Sequence, residues 1–384
     1  MKILVNLSVL AHDMSGIGRF TMGLLRELIV MPDVEELYGF YSGKLLTTDE
    51  VKTFLDSFHD ESRKMASAAP WIKKVASEVP GSRKLLYLYR SLRAQSIGKK
   101  LEGFIYWEPG FIAHPLNMPT YITVHDLSHI DYPEFHPEGR VKNLSALLPK
   151  SIQSCSGVIT VSDFSRNRII KEFGENKPIS VVYPGVDNSF FDITGGQMLT
   201  VRAALKLPRR YILAVSTFEP RKNLAKLLDA FFKLPPYLRE QYPLVLAGCN
   251  GWKTGPLEDR ISELEKTGHV IRLGFVPQSY LPALYAAATI NLYVSLYEGF
   301  GMPIAEAMAA GTPVITSNRT SMPEVAGNAA MLVEPDSAND IARAIESLLA
   351  DKVLYQKLGE RGRERSRKYS WQASAAALVE SFRK

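Results

Sequence analysis

The sequence predicts an α/β protein built from two doubly wound domains that face each other across a cleft. Strand-like and helix-like runs alternate along the chain, a pattern typical of parallel sheets covered by helices. The alternation stops at a polar, glycine-rich stretch at 192–196 and then starts again. The length of 384 residues fits two such domains, because a domain commonly has roughly 150 residues. In this arrangement ligands bind at the carboxyl ends of the strands.

The predicted domains occupy 1–190 and 199–368, with a linker at 191–198 between them. An alanine-rich helix at 369–384 is expected to pack across the domain boundary. The predicted strands of the first domain lie at 3–7, 36–41, 103–107, 121–124, 158–161 and 179–182, and its helices at 17–30, 137–155 and 162–173. The predicted strands of the second domain lie at 211–216, 244–247, 270–272, 290–296 and 312–316, and its helices at 221–232 and 259–267.

Composition disfavours several classes of protein. Hydrophobic residues make up 46% of the chain and charged residues 22%, as expected of an ordinary globular protein. The two cysteines, Cys155 and Cys249, do not suggest a disulfide framework, and a reducing compartment fits. The apolar run at 1–10 is short and contains polar residues, which favours a first strand over a signal peptide. No run of 18 apolar residues suggests a membrane span.

The net charge of +6 is unevenly distributed. Ten lysines and arginines lie at 63–100 against a single acid, Glu78, and they are interleaved with Trp71 and a Leu/Tyr cluster at 85–89. Such a stretch attracts an anionic membrane surface. A solvated basic face whose aromatic residues belong to the core is the alternative. Nucleic acid is disfavoured, because no nucleic-acid-binding motif accompanies the stretch.

The stretch EGFGMPIAE at 298–306 combines two acids with a glycine loop. A strand-like run precedes it, and a second one follows, which predicts a parallel strand–loop–helix–strand crossover. Pro303 suits the start of the helix and Gly311 its end. Glu298 should therefore lie in the loop and Glu306 about one turn into the helix. Free backbone N–H groups at a helix start attract anions, so two acids lie beside a site suited to negative charge.

Two segments of the first domain lie where predicted strands end. Gly16 and Gly18 open a helix after the first strand, but the third glycine of a dinucleotide fingerprint comes two places late. This loop is either a structural turn or a place where the backbone approaches a phosphate or sugar. His125 ends another strand, which suits a ligand. The spacing of His125, His129 and His136 lacks an H-E-x-x-H pattern, so a metal site is disfavoured.

Two adjacent cations, Arg221 and Lys222, follow a strand of the second domain at a predicted helix start. The helix dipole disfavours cations there unless a phosphate lies between, and a solvated charge pair is the alternative. No two aspartates are separated by a single residue, so there is no D-x-D pair to hold a divalent ion on a diphosphate. A phosphate leaving group must then be neutralised by protein cations and helix N–H groups.

Together these segments resemble the retaining glycosyltransferases of family 4, which have the GT-B fold of two Rossmann-like domains. The matching segments cover essentially the whole chain in the family's order: the loop at 16–19, VHD at 124–126, YPGVD at 183–187, EPRKN at 219–223 and the E-x₇-E signature at 298–306. Some relatives carry a Gly-Arg pair ahead of the EPRKN segment. This chain has Val215 and Ser216 there, so Arg221 and Lys222 are expected to carry more of the diphosphate charge.

The resemblance implies a division of labour at the site. Glu306 accepts hydrogen bonds from ribose hydroxyls of a nucleotide sugar, and Glu298 lies near the hydroxyls of the donor sugar. The catalytic set implied in this way consists of His125, Arg221, Lys222 and Glu298. The implied substrate-binding set consists of Gly16, Gly18, Arg221, Lys222, Val276, Glu298, Gly299, Phe300, Gly301, Met302 and Glu306. No metal or other cofactor is implied.

The segment STFEPRKN is most like that of bacterial mannosyltransferases of O-antigen and capsule assembly. The hypothesis is a retaining hexosyltransferase that moves mannose from GDP-mannose to a lipid-linked saccharide, peripherally attached to the cytoplasmic face of the membrane through 63–100. The resemblance implies front-face attack, in which the leaving phosphate helps to take the proton of the acceptor. The alternatives are a UDP-sugar donor, a GT-B-fold sugar-nucleotide epimerase and a catalytically silent membrane-associated scaffold. The sequence does not indicate an oligomeric state.

Overall fold

The computed structural model describes residues 1–11, 16–61, 92–93, 95–249, 251–252 and 255–384. The strands of its first sheet are β1 (Lys2–Asn6), β2 (Glu36–Tyr41), β3 (Lys44–Leu46), β4 (Phe104–Glu108), β5 (Thr120–Thr123), β6 (Gly157–Thr160) and β7 (Ile179–Val181). They lie in the order β3-β2-β1-β4-β5-β6-β7. β3 is antiparallel to β2, and the other pairs of this sheet are parallel.

The second sheet is parallel throughout its described pairs. Its strands are β8 (Ile212–Val215), β9 (Leu244–Ala247), β10 (Val270–Gly274), β11 (Ile290–Tyr293), β12 (Val314–Ser317) and β13 (Met331–Val333). They lie in the order β10-β9-β8-β11-β12-β13, so the chain order reverses between β8 and β11. Such a reversal opens a crevice at the carboxyl ends of the two strands, where ligands bind.

Helices cover both sheets. Those of the first domain are α1 (Gly16–Leu28), α2 (Thr48–Glu61), α3 (Ser128–Asp131), α4 (Glu138–Ser154) and α5 (Asp163–Phe173). Those after it are α6 (Gly195–Ala204), α7 (Leu224–Lys233), α8 (Pro236–Gln241), α9 (Gly255–Glu265), α10 (Leu281–Ala286), α11 (Met302–Ala309), α12 (Met322–Ala326), α13 (Ala338–Ala350), α14 (Lys352–Ser366) and α15 (Trp371–Ser381). Short 3₁₀ turns span Leu7–Ala11, Pro133–Phe135, Asn188–Phe190, Pro220–Lys222 and Gln278–Tyr280. Within the described residues, no helix has both the length and the apolar character needed to cross a membrane.

The two doubly wound sheets confirm the predicted fold class. The crossover after β11 also matches: Glu298 lies in the loop, Glu306 lies within α11, and Gly311 follows the helix at φ +78°. The predicted helix at 221–232 is wrong at its start, because Asn223 adopts a left-handed conformation (φ 58°) that separates the 3₁₀ turn from α7. α6 begins inside the predicted linker 191–198, where the Thr194 side chain caps it.

The last helix, α15, packs against the first domain after the chain has passed through the second. The Trp371 ring lies against Gly23 of α1 and against Gly185, where a Cβ on either glycine would lie 2.5 Å from the nearest ring atom. The indole Nε1–H donates to a carboxylate oxygen of Asp187 at 2.9 Å. Both glycines are therefore needed for this packing, and buried apolar residues from both sheets and α15 form one continuous cluster.

Candidate active site

The candidate site lies at the carboxyl ends of β8 and β11, where the order of the second sheet reverses. The segment after β8 carries Arg221 and Lys222, and the loop after β11 carries Glu298 and Gly299. The first domain approaches this loop closely, since a Cβ on Gly299 would lie 2.1 Å from the carbonyl oxygen of His125. A side chain at Gly299 would therefore push the two domains apart.

Glu298 accepts hydrogen bonds from two cations. Arg221 Nη1 lies 2.7 Å from Glu298 Oε2, and Lys222 Nζ lies 2.7 Å from Oε1, which also accepts from the Tyr293 hydroxyl at 2.9 Å. Glu298 is buried. Burial alone would raise its pKa, but Arg221 and Lys222 outweigh burial and lower the pKa of Glu298 to about 2. The carboxylate therefore stays ionised at neutral pH.

Arg221 and Lys222 are both held by acids. Arg221 also donates to Glu219 at 2.6 Å and to the Tyr297 carbonyl at 2.9 Å. Burial, together with the neighbouring charge of Arg221, lowers the pKa of Lys222. The sequence predicted two cations that bind phosphate, whereas in the structure they form ion pairs with two buried carboxylates, Glu219 and Glu298. A diphosphate at this place has to share the cations with Glu298.

The second acid of the signature, Glu306, pairs with Arg19 of the first domain. Arg19 Nη2 donates to Glu306 Oε1, and the Tyr285 hydroxyl donates to Oε2 at 3.2 Å. Glu306 is 1% exposed, so this is a buried ion pair between the domains. The sequence analysis included the loop at 16–19 but missed the role of Arg19. A cation in the first turn of α1, where the helix dipole is unfavourable, was the available signal.

The loop residues that precede α11 divide into backbone and side-chain roles. Gly301 has φ +102°, a left-handed conformation that favours glycine, and Met302 is the first residue of the helix. The Phe300 ring packs against Tyr183 and Tyr369, with centroid distances of 6.1 and 5.2 Å. The side chains of Phe300 and Met302 therefore belong to the core.

The other predicted substrate-binding residues lie around this centre. Gly16 and Gly18 form the first turn of α1, the turn that also carries Arg19. Val276 follows β10 and is buried in the shared apolar cluster, which also contains Tyr285, the hydroxyl partner of Glu306. The structure therefore places Gly16 and Gly18 in the same helical turn as Arg19, the partner of Glu306.

His125 is held as a neutral ring. Its Nε2 lies 2.8 Å from the Pro109 carbonyl oxygen, which can only accept, so we assign the proton to Nε2 and leave Nδ1 as an acceptor. Burial lowers the pKa of His125 more than Pro109 and Asp126 raise it. The rings of Phe20 and Phe111 pack against it.

The neighbouring histidines do not gather around a metal. His136 Nε2 lies 2.9 Å from the hydroxyl of Ser128, and His129 packs against Phe111 with a centroid distance of 6.2 Å. Among the residues that the structure describes, no three His, Cys, Asp or Glu side chains are grouped to hold a metal ion.

A buried acid that the sequence analysis missed lies at the carboxyl end of β4. Glu108 Oε2 accepts from the Asn6 side-chain amide at 2.8 Å and from the Tyr106 hydroxyl at 2.7 Å, and Oε1 accepts from the Gly110 N–H at 3.1 Å. Burial raises the pKa of Glu108 to about 7, although these three donors act to lower it. Glu108 therefore titrates near neutral pH beside Pro109, the residue that holds His125.

Two family models match the chain. The model described as "Glycosyl transferases group 1" matches residues 200–365, and the model "Glycosyltransferase Family 4" matches residues 56–190. The first match includes both signature acids, Glu298 and Glu306, and the second includes His125.

Relatives with names and structures agree with these models. The chain is 32% identical to "O-antigen chain mannosyltransferase B" of Escherichia coli over 100% of both chains. It is 29% identical to "Serotype-specific mannosyltransferase WbdA" of the same organism, over 72% of this chain and 33% of that longer protein. Among solved structures, Anabaena HepE in complex with UDP-glucose superposes with a TM-score of 0.70 at 19% identity, over 99% of this chain and 98% of that one.

Proposed function

The chain belongs to glycosyltransferase family 4, and we propose that it transfers mannose, with retention, from GDP-mannose to a lipid-linked saccharide of an O-antigen. Membership of the family makes it a glycosyltransferase with the GT-B fold. The observation that carries mannose and O-antigen is the match over the full length of an O-antigen chain mannosyltransferase. The similarity to HepE, at 19% identity, supports the fold alone. The UDP-glucose bound by HepE is therefore not carried over to this chain.

Two cations and a helix start at the crevice support binding of a nucleoside diphosphate there. Arg221 and Lys222 converge on Glu298, and the first N–H groups of α11 follow the same loop. In our proposal the diphosphate lies between these N–H groups and the two cations. In the same proposal the ribose hydroxyls donate to Glu306. Each oxygen of this carboxylate has two lone pairs, and among the described residues each accepts one hydrogen bond, from Arg19 or from Tyr285.

The same residues account for the chemistry of transfer. The bond between the anomeric carbon and the phosphate oxygen breaks, and its electron pair leaves with the diphosphate. Arg221, Lys222 and the start of α11 stabilise the developing charge. The acceptor hydroxyl attacks the same face of the sugar and passes its proton to the leaving phosphate oxygen. His125 accepts a hydrogen bond from a hydroxyl of the donor sugar through Nδ1.

We also propose that transfer needs no metal ion. The two cations at the crevice support this proposal, because protein cations can neutralise a diphosphate in place of a divalent ion. The absence of a D-x-D pair from the sequence supports it further.

We further propose that the protein attaches peripherally to an anionic membrane surface through 63–100. Only 92–93 and 95–100 of this stretch belong to the described residues, so the support comes from its ten cations and interleaved aromatic residues. Flotation with anionic vesicles tests it. Wild type should float at low salt and detach at high salt, and a variant with Lys73, Lys74, Arg83 and Lys84 changed to Ser should remain in solution. If that variant floats like wild type, the stretch is not the membrane contact.

The donor is tested by thermal shift and calorimetric titration with GDP-mannose, GDP, UDP-glucose and UDP. We expect GDP and GDP-mannose to stabilise wild type and the uridine nucleotides to have a weaker effect. Lys222→Ala should weaken binding of the guanosine nucleotides, whereas Lys226→Ala, on the next turn and paired with Asp229, serves as the matched control. Preference for UDP-glucose would contradict GDP-mannose as the donor. Conversion of a nucleotide sugar to its epimer without an acceptor would contradict glycosyl transfer and favour an epimerase.

A further inference from the structure

The carboxylate of Glu324 connects the two domains at a helix start. Glu324 lies in α12 of the second domain, and α5 belongs to the first. Glu324 Oε1 accepts from the backbone N–H of Asp163 at 2.8 Å, and Oε2 accepts from that of Phe164 at 3.0 Å. The Tyr183 hydroxyl lies 2.9 Å from Oε1 and 3.1 Å from Asp163 Oδ2, and its single proton is shared between them. An anion is well placed there, because free N–H groups and the helix dipole favour negative charge.

This contact is additional to the local cap of α5. The helix already has a capping side chain of its own, since the Ser162 hydroxyl accepts from the Ser165 N–H at 3.1 Å. That local cap leaves the first two N–H groups, those of Asp163 and Phe164, and Glu324 takes both. A carboxylate from the other domain therefore completes the helix start, and it ties the position of α5 to that of α12.

The segment before α12 is attached to the loop that carries Glu298. The Thr320 hydroxyl accepts from the Glu298 N–H at 3.2 Å. The Ser321 hydroxyl lies 3.0 Å from the carbonyl oxygens of Glu298 and of Phe300. α12 begins at the next residue, so these hydrogen bonds connect the helix that carries Glu324 to the loop at 298–301.

The start of α5 is attached in turn to His125. The Ser165 hydroxyl lies 3.3 Å from the His125 carbonyl oxygen and 3.4 Å from that of Gly299. Gly299 approaches the same His125 carbonyl so closely that no side chain fits between them. The contacts of Glu324 thus close a ring that runs from the Glu298 loop through α12 and α5 to His125 and back to Gly299.

We propose that Glu324 is a positioning residue for sugar transfer: it holds the start of α5 so that His125 of the first domain keeps its place against the loop at 298–301. Glu324 does not touch substrate in this proposal. It acts through α5 on His125, and its effect belongs to the sugar and its transfer rather than to binding of the nucleoside diphosphate, because Arg221, Lys222 and Glu306 lie outside its contacts. This positioning role rests on the proposed function only in the kcat measurement, which needs a known transfer reaction.

Glu324→Gln tests this role, because the amide keeps the shape but offers one acceptor oxygen instead of two. Hydrogen exchange of the Asp163 and Phe164 amides should become about tenfold faster or more, as expected when a helix start opens locally. The kcat should fall about 10- to 100-fold, the scale of a small misplacement of reacting groups. The Kd for GDP and the melting temperature should stay at the wild-type values.

Two further variants keep the test decisive. Tyr183→Phe removes one donor to Glu324 and should change exchange and kcat in the same direction by less. Glu334→Gln is the matched control, since Glu334 pairs with Arg319 inside the second domain, and it should change neither quantity.

Unchanged hydrogen exchange at the start of α5 in Glu324→Gln would show that Glu324 does not protect the Asp163 and Phe164 amides. Faster exchange with an unchanged kcat would contradict the positioning role. A parallel loss of GDP binding and melting temperature would make Glu324 a structural support instead. The hydrogen-exchange measurement needs no donor, so it remains interpretable if GDP-mannose is not the donor. In that case kcat is measured with the nucleotide sugar that wild type uses.

Discussion

Replacing Glu298 with glutamine should destabilise the protein strongly, because the carboxylate holds two buried cations. Arg221 and Lys222 each lie 2.7 Å from it, and its side chain is 8% exposed. The pKa falls from the ordinary 4.5 to about 2, and at about 1.4 kcal/mol per pH unit this corresponds to about 3 kcal/mol of stability. This value is on the same scale as the about 3–5 kcal/mol that removal of one partner of a buried ion pair commonly costs.

Differential scanning calorimetry measures this loss. A loss of about 3 kcal/mol should lower the melting temperature by about 6–12 °C for a domain of this size. Because the pKa is lowered in the folded state, the contribution is fully present above the unfolded value near 4.5 and is lost as the pH falls towards about 2. The difference between wild type and Glu298→Gln should therefore be largest near neutral pH and shrink below about pH 4.5.

Glu334→Gln is the control for this substitution, since it removes a more exposed carboxylate that pairs with Arg319. We expect it to change stability by less than about 1 kcal/mol, as for other surface ion pairs. A Glu298→Gln variant that melts with the control at neutral pH would refute the buried network. A difference that does not shrink in acid would refute its electrostatic origin.

Three further predictions address other groups. Burial raises the pKa of Glu108 to about 7, so wild type should lose up to about 3 kcal/mol of stability as the pH rises from about 4.5 to about 8. Glu108→Gln should abolish this pH dependence. Calorimetric pH profiles that run parallel in the two proteins would contradict the prediction. Arg19→Met should weaken GDP binding by about 1–3 kcal/mol, because it leaves Glu306 without its cation, and equal affinity in titration calorimetry would remove Arg19 from the donor site. Lys222→Ala should lower turnover by about 100-fold or more while wild type remains active in excess EDTA; activity that EDTA abolishes and magnesium restores would argue for a metal.

Local sequence patterns predicted most of what is local in the fold. The strands at 36–41 and 244–247 have the predicted bounds, and the helix after the glycine loop ends before Gly311 as expected. The three-residue edge strand Lys44–Leu46 was missed, because so short a run carries no alternating pattern. The start of α7 was misplaced, because a left-handed Asn223 cannot be read from helix propensity.

The site was predictable where chain order decides it and not where domain packing does. The sequence placed both segments where strands end, which in parallel sheets is one edge, and the family resemblance implied that Arg221, Lys222 and Glu298 serve one ligand. The Arg19–Glu306 pair joins residues that are 287 positions apart in different domains, and no local signal relates them. The neutralisation of the two cations by buried acids also depends on side-chain positions that only the packed structure fixes.

We propose that this chain moves mannose from GDP-mannose with retention. The most direct measurement incubates the purified protein with GDP-mannose and a lipid-linked saccharide acceptor, and determines the anomeric configuration of the product by NMR. We expect release of GDP and an α-linked mannose, as in the donor, and strongly impaired transfer by Glu298→Gln. A β-linked product, or transfer from a UDP-sugar in preference to GDP-mannose, would contradict it.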